Sequence, residues 1–356
     1  MTKILTLDGD GIGPEITAAT RAVMEAADRR FALGLHIERA EIGFAALKAS
    51  GTTIPEAVIE AALAADGVVL GPVSHNEYPP VAEGGLNPSG VLRKRLDLFA
   101  NIRPAKTPPG ASGATGKPVD LVTVRENTEG FYADRNMATG SGELLPDADM
   151  ALAVRKVTRR ASRRIAEAAF ALALTREARH VTAVHKANVL RVSDGLFLEE
   201  VRAVAALHPG VAYDEVLVDA MAAHLVRDAG RYDVVCTTNM YGDILSDLAA
   251  ELAGGLGLAA SLNAGETHAM AQAQHGSAPD IAGTGRANPA SLVGSVAMLF
   301  DWLAGRKDTP AFSEAAQAIR VGLDAALASP DTCTPDQGGR ADTAAMGAAI
   351  ARHVTG

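Results

Sequence analysis

Short apolar runs recur along the chain and read as buried strands: Ile4 to Leu7, His36 to Ile42, Gly67 to Leu70, Val119 to Val124, Arg179 to Val184, Val216 to Val218 and Val234-Val235. Segments with apolar residues at helical spacing separate them. One runs from Pro14 to about Arg30, and others cover Pro55 to Ala64, part of Arg155 to Arg179, the stretch after Asp194-Gly195 to Ala206, and Leu248 to Ala253. Two Ala-rich helices are expected in the last third. This alternation predicts an α/β sheet with helices on its faces.

The punctuation between elements narrows the fold. Ile4 to Leu7 runs into Asp8-Gly-Asp-Gly-Ile-Gly-Pro-Glu15, where Pro14 suits a first helical turn and the glycines give a tight turn. Gly9, Gly11 and Gly13 alternate and Pro14 follows, so the G-x-G-x-x-G fingerprint of a Rossmann fold is not met. Gly71 to Ser89 is a long Gly-, Pro- and Asn-rich loop, and loops beyond about 12–15 residues are usually functional or disordered. Pro108 to Pro118 is the strongest breaker cluster, read as a surface loop near a domain crossing.

Composition sets the class. A chain of 356 residues suits two domains, and 48% hydrophobic with 21% charged residues describes an ordinary soluble protein. No apolar run reaches the roughly 18–20 residues of a membrane span, and the start, Met1 to Asp8, does not read as a signal peptide. Cys236 and Cys333 make neither a disulfide framework nor a zinc site, so a cytoplasmic location is expected. A net charge of −9 argues against a nucleic-acid surface. The arginines of Arg155 to Arg179 are accordingly read as a solvated face, and the Arg93, Lys94, Arg95, Arg103, Lys106 cluster as a site for a small anion.

Polar groups collect where predicted strands end, the place where α/β proteins put ligands. Arg125 to Tyr132 follows one strand, His185-Lys-Ala-Asn188 another, and Asp219 a third. Asp243 and Asp247 stand four residues apart at the start of a helix, so both carboxylates share one face. That spacing suits a divalent cation, and equally a helix-capping Asp followed by a solvated one.

Together these motifs resemble the β-decarboxylating dehydrogenases of 3-substituted malates, which act on isocitrate, homoisocitrate, 3-isopropylmalate and, more distantly, tartrate or D-malate. The resemblance runs from Gly9-Asp-Gly-Ile-Gly-Pro-Glu15 to Thr334-Pro-Asp-Gln-Gly-Gly339, with the separated motifs in the family's order. It implies a two-domain isopropylmalate/isocitrate dehydrogenase-like α/β fold, with residues 1–104 plus 256–356 as the larger domain carrying the cofactor loop. Residues 105–255 would form a smaller domain with the metal site and the dimer contact, the active cleft lying between. It further implies that Arg93, Arg103 and Arg125 hold the malate carboxylates. Asp219, Asp243 and Asp247 would bind Mg²⁺ or Mn²⁺, a hard cation that takes carboxylate oxygens. Lys186 would help remove the hydroxyl proton, and Tyr132 would protonate the enol left by decarboxylation.

In this family the residues matching Lys186 and Asp219 come from a partner subunit, so a homodimer, alone or paired into a tetramer, is expected. Gly255, His275, Gly276, Ser277, Ala278, Asp280 and Asn288 match the cofactor loop. Asp280 points to NAD, since a carboxylate bonds ribose hydroxyls and repels a 2′-phosphate. Two departures bear on specificity. Gln272-Ala-Gln274 stands where many relatives have Glu-Pro-Val. Leu86 to Val91 lacks both the leucine pair of isopropylmalate enzymes and the Ser-x-Asn of bacterial isocitrate enzymes. Asn87 and Ser89, with Lys186 and Asn188, then suit a small anionic hydroxy acid with a third carboxylate, isocitrate or homoisocitrate. The alternatives are 3-isopropylmalate of leucine biosynthesis, or tartrate and D-malate. A catalytically silent regulatory subunit is the non-enzyme alternative; against it, Tyr132, Lys186 and the three aspartates are all present. Membranes and nucleic acids are not expected as partners.

Overall fold

The computed structural model describes residues 1–132, 137 and 142–356. In chain order its main elements begin β1 (Thr2–Leu7), α1 (Gly13–Phe31), β2 (Leu35–Ala40), α2 (Gly43–Ser50), α3 (Glu56–Ala64), β3 (Gly67–Leu70) and α4 (Pro88–Arg95). Next come β4 (Ala100–Lys106), β5 (Asp120–Glu126), β6 (Glu143–Asp147), β7 (Met150–Ala153), α5 (Arg159–Leu174), β8 (His180–His185) and α6 (Ser193–Ala205). There follow β9 (Ala212–Leu217), α7 (Val218–Asp228), β10 (Val234–Thr237), α8 (Asn239–Ala253), β11 (Leu262–Ala264) and β12 (Ala269–Gln272). Helices α9 (Ala290–Lys307), α10 (Pro310–Leu327) and α11 (Thr343–Thr355) complete the chain.

The expected alternation is present, with two differences. The strand expected over Val216 to Val218 begins earlier, at Ala212, so Asp219 lies in the first turn of α7. The last third holds three long helices rather than two, because Asp342 caps a further helix by accepting from Ala345 N at 2.7 Å. Among the described residues no helix is long and apolar enough to cross a membrane.

The chain divides into two compact units. One comprises Met1–Leu96, Pro108–Gly110 and Gly255–Gly356, and the other Asp97–Thr107 and Ala111–Gly254. In the first unit the strand order is β2-β1-β3-β12-β11, parallel throughout except for the antiparallel β11–β12 pair. Strands buried on both faces need no alternation, and Val68, Val69 and Leu70 of β3 are accordingly all buried. Phe300 of α9 and Phe312 of α10 meet edge to face at 5.5 Å in its core.

In the second unit the order is β4-β5-β10-β8-β9, with only β4 antiparallel to its neighbour. Side chains of a strand alternate between faces. Val122, Val124, Val234 and Cys236 pack beneath α5 and α6 in a cluster with Phe170 and Phe197. Leu121 and Val235 face the other way, among Met221 and Leu225 of α7 and Leu245, Ala249 and Leu252 of α8. Helices therefore cover both faces of this sheet. Phe170 is fully buried and stacks on His208 at 5.4 Å. Phe170→Ala should cost about 3–5 kcal/mol, the range for emptying such a site. A lower denaturant midpoint in unfolding followed by circular dichroism would show it, and an unchanged midpoint would refute this account of the core.

Candidate active site

Strand register decides where the two buried arginines of the second unit go. In the antiparallel β4–β5 pair Asn101 lies opposite Arg125, and Arg103 opposite Thr123. Arg103 and Arg125 are thus diagonal neighbours on one face. It is the face of Ala105 and Leu121, which is covered by α8. That helix begins two residues after β10 ends at Thr237. Asn239, Asp243 and Asp247 follow at one-turn intervals along it, one polar stripe above two guanidiniums.

The groups interlock. Arg125, 1% exposed, donates to Asn239 Oδ1 from Nε at 2.9 Å and from Nη2 at 2.7 Å, and Nη1 donates to Asp243 Oδ1. Its Nη2 also donates to the Tyr132 hydroxyl at 2.7 Å, and that hydroxyl donates to Asp243 Oδ2 at 2.7 Å. Arg103 Nη1 reaches Ser246 Oγ at 2.8 Å, Asp243 Oδ1 at 3.0 Å and Asp247 Oδ1 at 3.3 Å. Burial, and next the neighbouring Arg125 charge, bring Arg103 down to about 10, against the pull of the two aspartates. An alanine at Gly242 would put its Cβ 2.6 Å from Arg125 Cβ, so only glycine lets α8 lie this close.

The cluster is braced from behind. Asn239 Nδ2 donates to the Glu129 carbonyl at 2.8 Å, and the Glu129 carboxylate accepts from Thr158 N at 2.7 Å and Thr158 Oγ1 at 2.9 Å. Burial pushes the Glu129 carboxyl up to about 7, opposed by the Thr158 backbone donor and aided by nearby Glu126. Asp243 and Asp247 remain 39% and 52% exposed at their side chains, hence reachable by a cation. Carboxylate oxygens suit a hard divalent ion. Among the described residues, no group of three His, Cys, Asp or Glu side chains could hold a metal ion.

Lys186 and Asp219 follow the adjacent strand ends of β8 and β9, where His185 and Leu217 are in register. Lys186 Nζ lies 2.5 Å from Asp219 Oδ1, which holds the Asp219 carboxyl below its ordinary range. The Asp219 side chain is 64% exposed. Asn188 is exposed in the turn beyond Lys186. Two strand spacings separate β10 from β9 in the sheet order, roughly 10 Å, so Asp219 is not gathered with Asp243 and Asp247. The Lys186 backbone N–H is held at 2.5 Å by the buried Asp194, which is paired with Arg155. Arg155, expected on a solvated helix face, is thus 8% exposed at its side chain and precedes the helix. Arg159 and Arg163 do lie on that helix, in ion pairs with Glu200.

In the first unit the loop after β1 supports the predicted cofactor segment. Ile12 N donates to the Ser277 carbonyl at 2.8 Å, and a Cβ on Gly11, at φ +56°, would stand 2.0 Å from that oxygen. Ala278 follows in the left-handed region at φ 38°, with Gly276 and Asp280 exposed beside it. His275 Nδ1 lies 2.9 Å from the Gly276 carbonyl and must donate to it; burial lowers the ring's pKa, leaving Nε2 the acceptor in the neutral form. Asn288 is clamped by Asp336 at 2.9 Å, and Gly255 opens the next turn at φ 113°. Asn87 caps α4 by accepting from Gly90 N at 3.3 Å, while Ser89 and Arg93 both donate to Gln272.

The isocitrate/isopropylmalate dehydrogenase family model matches residues 3–350. The chain belongs to this family. It is 42% identical over 349 residues to the isocitrate/homoisocitrate dehydrogenase of Thermus thermophilus, covering 98% of this chain and 97% of that one. It is 39% identical over 352 residues to the 3-isopropylmalate dehydrogenase of Methanothermobacter thermautotrophicus, covering 99% and 98%. Isocitrate dehydrogenase from Methylococcus capsulatus superposes with a TM-score of 0.88 at 38% identity, with full coverage of both chains. The family expected from the motifs is confirmed, as is an isocitrate dehydrogenase-like α/β fold in place of a Rossmann fold. The chain is a dehydrogenase by family.

Sequence reasoning passed over Asn239, Gly242, Ser246, Asp194 and Asp336. Asn239 carried a signal, since it precedes Asp243 by one turn on the same face. Asp194 and Asp336 carried none, because their partners Arg155 and Asn288 are distant in sequence. Glu129 yields a pH prediction for this family member. Its pKa in the fold, about 7, exceeds the ordinary 4.5, so its contribution to stability is intact below pH 4.5 and is lost as pH rises through 7. Glu129→Gln, neutral throughout, should melt about 2–4 °C above the parent at pH 8, an effect of order 1 kcal/mol after solvent screening. The gain should vanish near pH 4.5 in thermal melts across this range, and a gain independent of pH would contradict the assignment.

Proposed function

We propose that this chain is an NAD-dependent, Mg²⁺- or Mn²⁺-dependent oxidative decarboxylase of a 3-substituted malate, with isocitrate or homoisocitrate as its preferred substrate. The observation that carries the reading is the interlocked set of Arg103, Arg125, Tyr132, Asp243 and Asp247. Two buried guanidiniums suit the malate carboxylates, and two half-exposed carboxylates suit a hard cation. Asp243 and Asp247 would hold the cation, which would supply stabilisation of negative charge on the substrate's C2 oxygen, and a bound nicotinamide would supply the acceptor for the C2 hydride. Tyr132 would deliver a proton to C3 after CO₂ leaves. Arg125 Nη2, 2.7 Å from the phenol oxygen, favours the negative charge that Tyr132 then carries. Lys186 would take the hydroxyl proton, and Asn188 would contact the substrate beside it.

A tricarboxylate substrate is supported by Asn87 and Ser89, both polar in the segment where isopropylmalate enzymes carry leucines, and by the name of the Thermus relative. The name of the Methanothermobacter relative supports 3-isopropylmalate as the second reading. Asp280, exposed in the turn after Ala278, supports NAD over NADP. His275, Ser277 and Asn288 would hold the adenosine half.

The active unit would be a homodimer. β6 and β7 form an antiparallel ribbon whose Leu144, Leu145, Met150 and Leu152 are 51%, 72%, 47% and 49% exposed. A two-stranded ribbon with leucines in water is marginal alone and suits burial against a second copy. The same copy would receive Lys186 and Asp219, which completes the metal set. Leu145→Asp with Leu152→Asp should therefore yield monomers by light scattering and abolish turnover; a dimer that persists would refute this interface.

Turnover is tested by NADH formation with Mn²⁺ across isocitrate, homoisocitrate, 3-isopropylmalate, D-malate and tartrate. One of the first two should give the highest kcat/KM, and no turnover of any would overturn the proposal. Asp243→Asn should lower kcat by about 10²–10³-fold while the dimer remains, a loss of the size seen when charge stabilisation is removed from a site.

A further inference from the structure

Asp194, in the first turn of α6, is fully buried in the second unit, and its carboxylate serves two neighbours. Oδ2 accepts from the Lys186 backbone N–H at 2.5 Å, and Oδ1 pairs with Arg155 Nη1. The turn between Lys186 and Asp194 is closed a second time, because the Lys186 carbonyl accepts from Val189 N at 3.0 Å and Leu190 N at 2.9 Å, and the Leu190 carbonyl from Asp194 N at 3.0 Å. Both backbone polar groups of Lys186 are thereby fixed, so its side chain leaves the end of β8 from a set position. Arg155 carries the contact onward. Its Nη1 also donates to Ser193 Oγ at 2.9 Å, and its Nη2 to Thr238 Oγ1 at 3.1 Å, immediately before α8. The guanidinium carbon stands 5.3 Å from the centre of the Tyr241 ring, on the first turn of that helix, and 5.7 Å from that of Phe131. A buried ion pair stabilises a fold little more than apolar side chains of the same volume would; what it adds is direction, since each of its bonds has a narrow geometry.

We propose that Asp194 is a positioning residue for Lys186, and that its pair with Arg155 ties the Lys186 turn to the start of α8. Asp194 is enclosed and acts only through the backbone from which the lysine extends. Arg155 holds Asp194 in place and, through Thr238, fixes that turn against the helix that carries Asp243 and Asp247. The inference rests on the preceding reading that Lys186 takes the hydroxyl proton, and it adds the two groups that set where the lysine stands. A misplacement of about 1 Å at such a group costs on the order of 10²-fold in rate.

The test separates positioning from support of the fold by removing both charges at once. Arg155→Met with Asp194→Leu leaves no unpaired buried charge, so its melting temperature should stay within about 4 °C of wild type. Arg155→Met with Asp194→Asn is equally neutral but keeps an amide oxygen to accept the Lys186 N–H. First-turnover NADH formation with Mn²⁺ is followed on the best wild-type substrate among isocitrate, homoisocitrate, 3-isopropylmalate, D-malate and tartrate. The rate should fall about 10²-fold in the first double variant and only about tenfold in the second, with the KM for NAD within about twofold of wild type in both. Should the first double variant fail to fold or melt far lower, the second decides, a rate about tenfold below wild type supporting the inference. One rate shared by the two double variants, a wild-type rate in the second, or a change in KM alone would overturn the inference and leave the proposed function standing. A wild-type rate in Lys186→Met would overturn both the inference and the role given to that lysine.

Discussion

Arg125 is a guanidinium with 1% of its surface exposed, and it cannot discharge by losing a proton. A buried charge that cannot be neutralised must be matched and fully hydrogen-bonded, because leaving one partner out costs about 3–5 kcal/mol. Asn239, Asp243 and Tyr132 answer that demand, and each answer imposes a further constraint. Asp243 must lie within reach, so α8 must press on β5, and residue 242 must be glycine. Asn239 must present its oxygen, so its nitrogen needs an acceptor of its own, which the Glu129 carbonyl provides.

The direction of the strands carries this outward. β5, β10, β8 and β9 are parallel, so Arg125, Thr237, His185 and Leu217 end at one edge of the second unit. Chemistry delivered at strand ends is the general habit of such sheets. The helices then sort it. α8 packs over β5 and β4 and carries Asp243 and Asp247 toward the arginines, while Lys186 and Asp219 pair with each other across β8 and β9. One chain therefore holds two carboxylates at the arginines and keeps the third with a lysine at the far side of the sheet.

What the sequence disclosed follows from the range of the interactions involved. Asp243 and Asp247 share a helix face by local spacing, and Arg125 directly follows the apolar run Val119 to Val124 that reads as a strand, so these were legible. Asp219 was placed just past a strand end and lies there on the first turn of α7, because the apolar run Val216 to Val218 straddles a strand and the helix that follows it. Arg155 was misread for a different reason. Its neighbours in sequence are arginines on a helix, yet its partner Asp194 lies on another element, and only the folded chain brings the two together. The roles of Gln272 and Asp336 were hidden in the same way: each is defined by donors that approach from remote segments.

Charge arithmetic relates the arginine cluster of the second unit to its substrate under the proposed function. Arg103 and Arg125 against Asp243 and Asp247 sum to zero, so this cluster neither attracts nor repels a net charge. A malate dianion arriving with a divalent cation is neutral too, and its entry leaves no large electrostatic debt in a site this buried.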